Sequence, residues 1–86
     1  MSVAEKLKAI IAIIEQYQLE SVIQTETSDF SASTIHLSDV AEMRKFGSSV
    51  KIINRNSIDY PTELAVEIDG IRVFALVHFK ENAGAA

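Results

Sequence analysis

The chain has 86 residues, twelve Asp and Glu against eight Lys and Arg, and no cysteine; it can hold one core, with neither a disulfide framework nor a thiolate metal site. A formal charge of −4 argues against a general polyanion binder, for which a basic domain or stripe is expected. A hydrophobic share of 48% suffices for a core and argues against disorder.

These bounds predict a single α+β domain over residues 1–80, a short tail at 81–86, and a reducing, cytoplasmic setting. The greasiest run, Ala9–Ile14, is far shorter than the roughly 20 apolar residues of a membrane span. Lys8 and Glu15 close it, and no small-residue cleavage site follows.

Helical periodicity begins at once. Ser2 and Glu5 have the spacing of a capping box. Val3, Leu7, Ile10, Ile14 and Tyr17 recur at steps of three and four and define the face that should meet a sheet. Glu5, Lys8, Ala12 and Glu15 fall opposite, while Ile11 and Ile13 widen the apolar stripe.

Beyond it, Val22, Gln24 and Glu26 alternate with Ile23, Thr25 and Thr27, and the threonines favour a strand. Ser28-Asp29 reads as a turn, and Phe30–Leu37 as a second strand with Ile35 and Leu37 on either side of His36. A short helix should follow. Ser38 or Asp39 caps it, Val40, Met43 and Phe46 face inward, Glu42 and Lys45 face out, and Gly47 stops it.

Ser49–Arg55 reads as a strand centred on Val50–Ile53, and 54–62, which holds the single proline, as a loop. Glu63–Asp69 and Ile71–Lys80 are strands joined by Asp69-Gly70, a pair suited to the positive φ angles of a type I′ turn. The order α-β-β-α-β-β-β and its tight turns predict an antiparallel sheet of four to five strands with two helices on one face.

The two-residue turn also predicts a register. Ile68 should face Ile71, Val66 face Val73 and Leu64 face Ala75 on the core side, with Val77 and Phe79 extending that face. On the outer side Glu67 should pair with Arg72 as an ion pair, Ala65 with Phe74, and Glu63 with Leu76. Ala65, Phe74 and Leu76 make this outer side more apolar than a solvated sheet face. Either these are ordinary scattered surface apolar residues, or the 20–37 segment covers them, or the face meets a partner, for which a symmetric dimer is the simplest arrangement.

Catalytic signatures are lacking. There is no nucleophile motif, and Gly47, Gly70 and Gly84 serve as helix stop, turn and tail rather than a phosphate loop. His36 and His78 are too few for a zinc site; no catalytic residue, metal or cofactor is expected. Arg44, Lys45, Lys51 and Arg55 concentrate half the basic residues within twelve positions, a pattern that could contact phosphates with Asn54 and Asn56 beside them, or simply complement a helix dipole and a solvated strand. Tyr60, in the longest irregular stretch, is of a type common at contact hot spots.

The expectation is a small non-enzymatic interaction or regulatory module. It would self-associate as a homodimer through Ala65, Phe74, Leu76 and Tyr60, and have a further protein partner. Size, acidity and lack of motifs also suit accessory proteins of phages or mobile elements. The alternative is a nucleic-acid-associated regulator using the 44–55 basic residues.

Overall fold

A computed structural model describes residues 2–27 and 33–78. The expected Ser28-Asp29 turn, the first residues of the second strand, Phe79 and the 81–86 tail lie outside the described residues.

Helix α1 spans Val3–Gln16, and the Ser2 hydroxyl caps it by accepting from the Glu5 amide. The buried stripe is turned from the one read off the spacing. Ile10 and Ile13 enter the core with Ile14 and Tyr17 beside them, while Leu7 is 43% exposed. The cause lies at the helix end. Gln18 adopts a left-handed φ of 51°, the Leu19 amide donates to the Ile14 carbonyl, and the Gln18 amide donates to that of Glu15. This Schellman turn drops Leu19 into the core and fixes which side of α1 rests on the sheet.

Five strands follow: β1 Val22–Glu26, β2 Ser33–Leu37, β3 Lys51–Asn54, β4 Thr62–Ile68 and β5 Ile71–Val77. The sheet order is β1-β2-β5-β4-β3. The hairpins β1–β2, β3–β4 and β4–β5 are antiparallel, but β2 and β5 run parallel, so the sheet is mixed rather than antiparallel throughout. Tight turns constrain only strands adjacent in the chain. Between β2 and β5 the chain passes through a helix and two strands, ample length for a parallel crossover. Both strands alternate buried and half-buried residues along their length, as central strands with one covered face should.

The β4–β5 register is the one the turn dictates. Ile68 faces Ile71, Val66 faces Val73 and Leu64 faces Ala75, with Asp69 at φ 52° and Gly70 at φ 79° in the turn. Ile35, Leu37, Ile71 and Val73 are fully buried beneath the helices, and Met43 joins them from above. Each such side chain contributes about 1.5–3 kcal/mol by leaving water.

The second helix differs in kind. Val40–Ser49 is a 3-10 helix, capped by Asp39 and broken at Gly47 with φ 67°. Its inward residues Val40, Met43 and Phe46 step by three with no step of four. That is the period at which 3-10 side chains eclipse along one line. Glu42, expected to face solvent, is instead 7% exposed. Its carboxylate accepts from the Glu20 and Ser21 amides, from the Ser21 hydroxyl and from Lys45 Nζ, which also donates to the Gln18 carbonyl. The 3-10 helix is thereby clamped to the α1–β1 connection, and Tyr17 packs on Phe46 with ring centroids 4.6 Å apart.

Candidate functional site

Both helices lie on the core side of the sheet. Among the described residues, no helix or strand packs over the other side. Cα pairing assigns that open face residue by residue. One row across it reads Gln24, His36, Phe74, Ala65, Lys51. The rows beside it hold Glu26, Thr34, Arg72 and Glu67 on one side, and Leu76, Glu63 and Ile53 on the other.

The middle of the face is an aromatic and cationic stack. The His36 imidazole lies on the Phe74 ring at 4.4 Å between centroids and 16° between planes. The Arg72 guanidinium carbon stands 5.1 Å from the Phe74 centroid, within reach of a cation–π contact. Arg72 then meets the Glu63 carboxylate. This corrects the expected Glu67–Arg72 ion pair: although the two are opposite in register, Arg72 runs along the strand over the ring instead. Glu63 is mostly buried, so the pair is less screened there than it would be with exposed Glu67.

Ala65 is 5% exposed, low among longer neighbours, while Phe74 and Leu76 are half-buried. Burial first, and then the charge of Arg55, lower the His36 pKa below its ordinary 6.5. The ring on Phe74 is therefore neutral at pH 7. Tyr60 is exposed at the margin and meets His78 edge-on at 5.2 Å.

The face has two unlike halves. On the β4–β3 side, Ser49, Lys51, Ile53, Ala65, Glu67 and Arg72 line a hollow of about 130 Å³. On the β2–β1 side His36 lies against Phe74, with Gln24 and Glu26 on the strand beyond.

The basic residues 44–55 do not form one patch. Arg44 and Lys45 sit on the 3-10 helix, on the core side of the sheet, and Lys45 is engaged by Glu42 and Gln18. Lys51 pairs with Ala65 on the open face, and Arg55 follows β3 with its amide donating to the Pro61 carbonyl.

A groove of about 470 Å³ opens between the 3-10 helix and the sheet, lined mainly by Val40, Met43, Val50, Leu64 and Val77 with Asp39 and Arg44 at its rim. No nucleophile with an adjacent base lines it. Among the described residues no group of three His, Asp or Glu is placed to hold a metal, and no helix is long and apolar enough to cross a membrane.

Of the residues anticipated at an interface, the structure brings Ala65, Phe74 and Leu76 together and leaves Tyr60 at the rim. Arg72 and Glu63 stand on this face as the register predicts, while His36, Gln24 and Glu26 were not anticipated there. Their place depends on β2 lying beside β5, although the alternation Ile35-His36-Leu37 already set His36 apart from the core face.

No family model matches the chain, and neither a curated protein nor a solved structure is found similar to it.

Proposed function

We propose that this chain is a binding module that acts by contact and self-associates through the open face of its sheet. The observation that carries the reading is the row His36–Phe74–Ala65 across three adjacent strands, on a face over which no described helix or strand packs. Solvated sheet faces alternate apolar with polar side chains, and this one concentrates an aromatic ring, a leucine and a neutral imidazole at its centre. Most small oligomers close through such isologous surfaces.

The size of the face sets the expected strength. At about 4.8 Å between strands and about 3.3 Å per residue, the five strands offer about 450 Å² of planar sheet per copy. Twice that falls below the roughly 1,200 Å² where stable interfaces begin, so association should be weak and reversible.

Sedimentation velocity from about 1 to 500 μM should show a monomer–dimer equilibrium for the native chain. Phe74→Glu, which places a charge on the axis of the contact, should give a monomer with an unchanged circular-dichroism spectrum. A native chain that sediments as a monomer throughout contradicts the proposal. The nucleic-acid alternative has weaker support, because its four basic residues divide between the two sides of the sheet. Salt-sensitive binding to DNA or RNA at low ionic strength is the result that would favour it.

A further inference from the structure

We infer that the free edge of β3 docks an extended segment of a partner protein. The segment adds as a further antiparallel strand, with acids opposite Lys51 and Arg55 and an apolar residue opposite Ile52. This goes beyond self-association and does not depend on it, because the edge is a different surface from the open face.

The backbone argues for a strand as the occupant. The Arg55 amide donates to the Pro61 carbonyl, and the unbroken register sets Ile53 opposite Glu63 and Lys51 opposite Ala65. Bonded and unbonded pairs alternate along an antiparallel ladder, so Lys51, Ile53 and Arg55 turn their backbone groups toward β4. The N–H and C=O of Ile52 and Asn54 therefore point the other way. β3 is the last strand of the sheet, and no described residue bonds these outward groups. A donor and an acceptor on every second residue is the pattern that an added extended chain completes.

The side chains fit the same occupant. Ile52 lies on the core side of the sheet yet is 74% exposed. The 3-10 helix packs on β4 and β5 and stops short of it. An apolar residue across from Ile52 would take both side chains out of water.

Charge states the kind of segment. Between Glu42 and Asp59 the chain carries Arg44, Lys45, Lys51 and Arg55 and no acid. On β4, Glu63 is taken by Arg72, and Glu67 lies inward of Lys51, away from the edge. A second β3 would bring two more bases, and like charges directly opposite each other oppose strand pairing. The other edge is less regular: the register of β1 shifts between Val22 and Gln24, and such irregularity blunts an edge. That makes β1 a poorer template, and a poorer strand for β3 of a second copy to capture.

The probe is the capped peptide acetyl-Glu-Thr-Val-Ile-Glu-amide, titrated into the isotope-labelled full chain and followed by NMR. Antiparallel addition sets its isoleucine opposite Ile52 and its last glutamate opposite Lys51. The Ile52 and Asn54 amide signals should shift and their hydrogen exchange slow, with an affinity on the order of 1 mM or tighter. A peptide N-methylated at the isoleucine, whose N–H faces β3, should lose binding. One N-methylated at the valine, whose N–H faces away, should bind within about two-fold of the parent. Lys51→Glu should weaken the parent peptide roughly three-fold. The same variant should accept a peptide ending in lysine at the parent's affinity, which an unfolded variant could not do. No shift at Ile52 and Asn54 up to about 5 mM peptide, or equal binding of the two N-methylated peptides, overturns the proposal. Shifts at these two amides on concentrating the chain without peptide would assign the edge to a second copy and overturn it equally.

Discussion

Glu42 shows how much one carboxylate can hold. Burial alone would raise its pKa, but Lys45, the Ser21 hydroxyl and the Glu20 and Ser21 amides outweigh burial and bring it from 4.5 down to about 2. A group with a depressed folded pKa stabilises the fold fully above its unfolded value, and that contribution is lost as pH falls through the folded one. The difference is worth about 3 kcal/mol, present at pH 5 and above and lost between about pH 4.5 and 2. Glu42→Gln should lower stability at pH 7 by about 2–3 kcal/mol. It should also flatten the acid limb of a urea-midpoint profile, and a variant that keeps the native acid limb would contradict this assignment. The sequence places Glu42 three residues after a capping Asp39, which suggests an exposed first-turn acid. Apart from Lys45, its partners lie about twenty positions upstream in the α1–β1 connection, and no local pattern encodes that meeting.

Elements were legible where a local rule decides them. The Asp69-Gly70 turn imposes positive φ on two adjacent residues, and the whole β4–β5 register follows, down to Ala65 opposite Phe74. The 3-10 helix was readable as a helix but not as its type, although Val40, Met43 and Phe46 at unbroken steps of three carry the 3-10 period. The end of α1 was not readable, because the left-handed position at Gln18 has no glycine to announce it. A non-glycine residue there carries a steric cost of roughly 1 kcal/mol. Since Gln18 bonds through its backbone, the amide to Glu15 and the carbonyl to Lys45, Gln18→Gly should keep both bonds and stabilise the fold by roughly 0.5–1 kcal/mol in chemical denaturation. Destabilisation would mean that the Gln18 side chain, rather than its backbone, shapes the turn.

At the scale of the whole molecule, the mixed sheet makes the surface. Inserting β2 beside β5 places the hairpin at the centre of five strands. His36 lands against Phe74 at the centre of the open face. Periodicity and turn chemistry do not encode which strands from distant parts of the chain become neighbours, so the helices and hairpins could be foreseen while this face could only be sketched. Other exposed apolar residues remain, notably Ile52 at 74% and Ile58 at 93% near the β3 edge, and these are where a rival contact would form. Two-dimensional NMR of the native chain across a dilution series discriminates directly. The account predicts concentration-dependent shifts centred on the Ala65 and Leu76 methyls, the Phe74 ring and His36, with Ile52 and Ile58 nearly still. Shifts confined to Ile52 and Ile58, or no shifts across the series, would contradict it.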